Sequence, residues 1–140
     1  MKRPVVHPLK NRQVFVVLKD GTIRIAKYDG NNYYKVNTPR GAQAVHDTYV
    51  THWKYTKSVL KGGSFPNDTR KSKPNTGSGV YFIQNNCGEV YEAYADGSTF
   101  VVLEPRPKHS TFDKASESII SWIELFDLRK MFREQFEIVL

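Results

Sequence analysis

Cysteine is nearly absent, since Cys87 is the only one in 140 residues. That excludes an internal disulfide and any thiolate-rich zinc site. Long apolar runs are missing too, and none approaches the ~18 residues that a membrane-spanning helix requires. The opening Met1-Lys2-Arg3-Pro4-Val5-Val6-His7-Pro8 lacks the apolar stretch of a secretion leader, so the expected location is the cytoplasm. Neither Gly-Lys-Ser nor Gly-Lys-Thr occurs, which removes the phosphate loop of nucleotide hydrolases, and no dinucleotide fingerprint is present. Acidic residues are the minority, 14 against 21 Lys+Arg, for a formal net charge of +7.

What is present suffices for one folded domain spanning 1–140. Hydrophobic residues make up 39% and aromatics 13%, enough to build a core at a length where roughly two thirds of the unfolded surface is buried. The charge is unevenly spread: residues 1–112 carry a net +9 and residues 113–140 a net −2. The positive field thus belongs to the first four fifths of the chain. Such a field attracts nucleic acid, nucleotides or acidic protein surfaces, although Lys and Arg also simply solubilise small domains.

After an N-terminal arm (1–12), Val14-Phe15-Val16-Val17-Leu18 is followed by Asp20-Gly21, an alternating run Thr22–Tyr28, Asp29-Gly30-Asn31 and Tyr33-Tyr34-Lys35-Val36. Asp-Gly between such runs signals hairpins of type I′, so the first part of segment 13–60 is read as a three-stranded meander. The pattern returns over 80–104, with Val80–Gln84, a turn through Cys87-Gly88, Glu89–Tyr94, Asp96-Gly97 and Ser98–Glu104. Matching Tyr28-Asp29-Gly30 to Tyr94-Ala95-Asp96-Gly97 takes one inserted residue. Duplication and convergence on common hairpin chemistry both explain the correspondence. Two meanders predict an α+β fold, mostly antiparallel β, as a small barrel or a sandwich.

Between the meanders, Ala44–Tyr55 fits either a strand or a short helix, and 61–79 is a flexible basic loop of turn formers and charge. The segment 110–140 is expected to be helical. Ser110 and Asp113 offer a capping box, and no Gly or Pro interrupts Asp113–Gln135. Ile119, Trp122, Ile123 and Phe126 form one helical stripe, and Leu125, Leu128, Phe132, Phe136 and Val139 a second. One stripe would cover the sheet. The other asks for a partner, so Trp122, Phe126, Leu128, Phe132 and Phe136 are candidate oligomer or partner contacts, and a homo-oligomer is expected. A break near Asp127 would instead turn both stripes to one core, and 136–140 fits helix or strand.

No catalytic constellation stands out, and no cofactor is expected. His46, Asp47 and His52 could serve a metal-dependent hydrolase, but on a strand the imidazoles are ~20 Å apart and on a helix they face different ways. The stronger feature is cations interleaved with aromatics, which supply phosphate neutralisation together with stacking faces. Lys27, Tyr28, Tyr34, Lys35, Trp53, Lys54, Tyr55 and Lys57, with Arg70, Lys71 and Lys73 of the loop, are the candidate ligand-binding residues. The composition resembles that of small accessory proteins of bacteriophages, often single β-rich domains that inhibit host defence or redirect host machinery; no alignable motif carries that resemblance. The expected function is non-enzymatic binding of single-stranded nucleic acid or a nucleotide. The alternative is an inhibitor or adaptor that docks on a host defence or nucleic-acid-processing protein.

Overall fold

Local sequence places the first hairpin. Val14–Val17 are β-branched or aromatic and fully buried, and the chain turns where Gly21 adopts φ +85°. Leu18 and Thr22 close the turn with an N–H···O bond of 2.9 Å, and Gly21 N–H donates to the Leu18 carbonyl at 2.8 Å. This is a three-residue loop ending on a left-handed glycine. It replaces the expected type I′ turn, because Asp20 keeps negative φ while its carboxylate accepts from Thr22 N–H at 2.9 Å. Those bonds hold the Asp20 carboxyl below its ordinary pKa.

The computed structural model describes residues 6–38, 40–59, 67–68, 80–85, 88–96, 99–103, 109–113 and 119–136. Its strands are β1 (Gln13–Leu18), β2 (Ile23–Tyr28), β3 (Tyr33–Thr38), β4 (Gly41–His46), β5 (Val50–Tyr55), β6 (Asn67–Asp68), β7 (Val80–Asn85), β8 (Val90–Asp96), β9 (Thr99–Leu103), β10 (His109–Asp113) and β11 (Ile119–Glu124). A 3-10 turn (Asp47–Tyr49) precedes β5, and the helices are α1 (Thr56–Val59) and α2 (Leu125–Phe136). The fold is α+β, with two antiparallel sheets ordered β4-β3-β2-β1-β5 and β10-β9-β8-β7-β11-β6. Among the described residues no helix is long and apolar enough to cross a membrane.

Apart from the short β6, the two sheets repeat one plan: a four-strand meander, a fifth strand returning beside the first, then a helix. The register repeats as well. Phe15 pairs with Lys54 and Val16 with Trp53, while Phe82 pairs with Ile123 and Ile83 with Trp122. Both ladders skip one residue at the same place, Thr51 in β5 and Ile120 in β11. The turn Asn85–Glu89 repeats the bonding of Leu18–Thr22, with Gly88 at φ +85°. The alignment of the halves is corrected by this register. Ala26 corresponds to Ala93, hence Tyr28 to Ala95, with no insertion before the Asp-Gly turn. The one-residue difference falls inside that turn, because Tyr28 faces Tyr34 whereas Ala95 faces Phe100.

Each sheet curls around its own core. Val14, Val16, Ala26, Tyr28, Tyr34 and Val36 fill the first unit, and Val45 of β4 and Tyr55 of β5 pack on the same cluster, so the sheet's two edges converge. Tyr81, Ile83, Ala93, Val102 and Trp122 fill the second. Strand alternation sends the intervening residues outward, where the units pack back to back. Phe15, Val17, Ile23, Ile25 and Val59 meet Phe82, Val90, Ile123, Leu128 and Phe132 in one shared core. The equivalent Phe15 and Phe82 touch edge to face, with centroids 5.1 Å apart.

The expected helix over Asp113–Gln135 is corrected. Ser110 and Asp113 lie in β10, Ile119–Glu124 form β11, and helix begins only at Leu125. The spacing of Ile119, Trp122, Ile123 and Phe126 fits a helix stripe by coincidence. β11 is buried on both faces, Trp122 toward its own core and Ile123 toward the shared one, and two-sided burial turns a strand into a near-continuous apolar run. Ala44–Tyr55 resolves into strand, 3-10 turn and strand. The loop 61–79, apart from Asn67–Asp68, and residues 137–140 lie outside the described residues.

Candidate functional site

The site is assembled where the units meet. Gln13, the first residue of β1, carries its side chain to β8: its Nε2 donates to the Val90 carbonyl at 2.5 Å and its Oε1 accepts from Val90 N–H at 3.0 Å. The amide thus copies a β-bridge and ties the units together. Beside it opens a cleft of about 620 Å³ lined by Arg12, Gln13, Tyr55, Thr56, Lys57, Ser58, Gly88 and Glu89. Glu89 contributes the carboxylate in this lining, and its Oε2 accepts from Tyr91 Oη at 2.5 Å.

A row of side chains runs from this cleft across the sheet. Gln13 is directly opposite Lys27 on β2, Lys27 opposite Lys35 on β3, and Lys35 opposite Ala44 on β4. At ~4.8 Å per strand, Gln13 and Lys35 are ~10 Å apart. Lys27, Lys35, Arg12 and Lys57 are all exposed. The ion pairs among the described residues are His7–Asp47, Arg24–Glu92 and His46–Asp47, so none of these four cations has a carboxylate partner there. Like charges directly opposite on neighbouring strands repel by roughly 0.2–1 kcal/mol.

The structure separates the remaining sequence-derived candidates. Tyr28 and Tyr34 are buried in the first unit's core and present no free stacking face. Burial, with Tyr28 and Asp47 nearby, raises the Tyr34 phenol far above its ordinary pKa. Of the pair Tyr33-Tyr34, alternation turns Tyr33 outward, 42% exposed. Tyr33 and Tyr49 flank a shallower groove of about 550 Å³ with Lys19 and His46, where the Lys19 ammonium lies 5.5 Å from the Tyr49 ring centroid. Strand parity was the signal for Tyr33 over Tyr34.

Trp53 and Tyr55 are half-buried and engaged by the N-terminal arm: Trp53 Nε1–H donates to the Val6 carbonyl at 2.7 Å, and Leu9 N–H donates to Tyr55 Oη at 2.9 Å. Lys54 Nζ donates to Gln135 Oε1 of α2. Arg70, Lys71 and Lys73 lie outside the described residues. The candidate partner contacts Trp122, Leu128 and Phe132 fill intramolecular cores, because the second stripe of α2 covers Phe15 of the first unit, with Phe132 centroid to Phe15 centroid 5.9 Å. Phe126 remains exposed, and nothing is described of the Phe136 side chain.

His46, Asp47 and His52 do not assemble. His52 lies on β5 opposite Val17, with Nδ1 3.1 Å from Thr51 Oγ1. Asp47 is flanked instead by His46 Nδ1 at 3.1 Å and His7 Nε2 at 2.9 Å. Among the described residues no group of three His, Cys, Asp or Glu side chains is placed to hold a metal ion.

Arg12 and Gln13 were not legible as site residues, since nothing in the arm's sequence shows that it ends at the junction. One more buried group lies there. Glu92 takes the position of Ile25 in the repeat and accepts from Arg24 Nη1 at 2.5 Å, while its Oε1 has no hydrogen-bond partner among the described residues. Burial raises its carboxyl to about pKa 7, against the opposing pull of Arg24. In comparisons with known proteins, no family model, no curated protein and no solved structure matches the chain.

Proposed function

We propose that this protein is a non-enzymatic binding protein for a phosphate-bearing anion, single-stranded nucleic acid or a nucleotide, held at the junction of its two units. The observation that carries this reading is the exposed set Arg12, Lys57, Lys27 and Lys35, none of them in an ion pair among the described residues. Two of these stand at the cleft mouth, and two face each other across β2 and β3 on the row that leads from it. A row of like charge costs stability in the free protein and is offset when phosphate occupies it. The exposed Ser58 hydroxyl in the cleft lining adds an uncharged donor suited to phosphate oxygens.

Fluorescence anisotropy of a labelled single-stranded oligonucleotide across a salt series tests the proposal. Four phosphate contacts predict log K falling with log salt at a slope near about −3. The double variant Lys27→Glu/Lys35→Glu is expected to weaken binding by at least ~10-fold and to flatten the slope by about 1.4. Binding that ignores both substitutions and salt would refute the assignment.

A further inference from the structure

The aromatic residues that the sequence offers as base-stacking platforms are occupied by the chain itself. Val6, His7, Pro8 and Leu9 cross the first unit and make contacts of the kind a bound peptide makes. The Val6 carbonyl takes the Trp53 indole N–H, and the Leu9 amide gives its proton to Tyr55 Oη. The His7 ring stacks on Tyr28 with centroids 4.5 Å apart and planes 10° apart, while its Nε2 meets the Asp47 carboxylate at 2.9 Å. Pro8 is buried, although Val6 and Leu9 on either side of the His-Pro pair stay exposed. A residue preceding proline is held out of the helical region, so His7-Pro8 is a stiff dipeptide that loses little entropy on docking.

The internal repeat shows that two side chains of this seat are not required by the strand order or the register. The second unit has the same strand order and the same register, yet Ala95 stands where the first unit has Tyr28, and Glu124 where it has Tyr55. Trp122 keeps the position of Trp53 but is buried in its own core. Of the residues that grip the arm, Tyr28 and Tyr55 stand where the two units diverge, whereas the tryptophan position is shared.

We infer that Tyr28, Asp47, Trp53 and Tyr55 form a peptide-recognition site that takes a partner protein's segment centred on a His-Pro pair, held by the backbone on either side, and that the chain's own arm is its resident occupant. The site discriminates through one backbone carbonyl, one backbone amide, a flat ring and a hydrogen-bonding ring edge. An external segment must displace the arm, so its apparent affinity is scaled by the fraction of molecules with the arm undocked.

The test uses a fluorescent synthetic peptide with the sequence of residues 1–12 and the full-length chain. His7→Ala/Pro8→Ala in the chain's own arm is expected to raise apparent affinity for the peptide by about 10-fold over the unmodified chain. Adding Trp53→Phe, which keeps a ring and removes the N–H donor, is expected to abolish that gain, and a scrambled peptide of equal charge is expected not to bind. A circular dichroism melt checks that the variants fold. Independently of them, excess unlabelled peptide is expected to accelerate hydrogen exchange of the Leu9 amide in the unmodified chain. Equal binding of the scrambled peptide, indifference to Trp53→Phe, or an unaltered Leu9 amide would overturn the inference. So would arm exchange between two copies, which would put a second copy in the seat.

Discussion

The two units answer the same topology with different interiors. In the first, the strand faces turned to the junction are apolar: Val17, Ile23 and Ile25. In the second, the equivalents of Val17 and Ile25 are Gln84 and Glu92. Gln84 is engaged, its Oε1 accepting from the buried Ser121 Oγ at 2.8 Å, whereas Glu92 leaves one oxygen unpartnered among the described residues. The helices differ as well. α1 is described over the single turn Thr56–Val59, whereas α2 runs for 12 residues, long enough to carry Phe132 onto Phe15 and Arg129 Nη1 to the Gly21 carbonyl at 3.2 Å. Strand order and register therefore survive wide changes in side chain, provided each buried polar group finds a partner or stays uncharged.

The largest effects should come from breaking the contact on which the units are most alike. Phe15→Ala and Phe82→Ala should each destabilise by about 3–5 kcal/mol. Because their rings touch, the double variant should cost less than the sum. Urea titration followed by far-UV dichroism and by tryptophan fluorescence should give one coincident transition for the unmodified chain. Two separated transitions would mean that the units do not share a core.

The tryptophans sharpen the same comparison. Trp122→Ala empties a core position and should cost about 3–5 kcal/mol. Trp53→Ala removes a half-buried ring and one hydrogen bond, and should cost about 1–2 kcal/mol. Equal losses in thermal melts would erase the distinction between a core tryptophan and one that grips the arm.

Glu92 gives the comparison a pH dependence. The folded state keeps the proton up to about pH 7, and the unfolded state releases it near 4.5. The folded state therefore binds more protons within that window, and stability falls as pH rises through it, then levels off above. The shift corresponds to about 3 kcal/mol. Glu92→Gln should remove this slope, gaining most over the unmodified chain at pH 8 and least at pH 4. A slope unchanged in the variant would assign the dependence elsewhere.

The smallest effect concerns the basic row, which the second unit lacks: Tyr94 and Val101 occupy the positions of Lys27 and Lys35. Lys35→Glu should raise stability by about 0.2–1 kcal/mol as repulsion becomes attraction, while oligonucleotide affinity falls. A loss of both in the same variant would mark Lys35 as a structural residue.

Sequence alone determined the parts of this protein whose signals are local. The runs Val14–Leu18 and Val80–Gln84 with their glycine turns, the paired meanders and the α+β class follow from β-branched patterning and from backbone angles that glycine adopts without strain. The basic set was half legible: Lys27, Lys35 and Lys57 stood out by type, but only cross-strand register placed Lys27 against Lys35, and only the fold brought Arg12 and Lys57 to one cleft. Tertiary structure decided the rest. A strand buried on both faces and an amphipathic helix share the apolar spacing of Ile119–Phe126, and only the presence of a core on each side of β11 distinguishes them. Whether an aromatic ring is a ligand platform or already covered likewise depends on what packs against it, and for Tyr28, Trp53 and Tyr55 that is an arm more than 15 residues away in the chain.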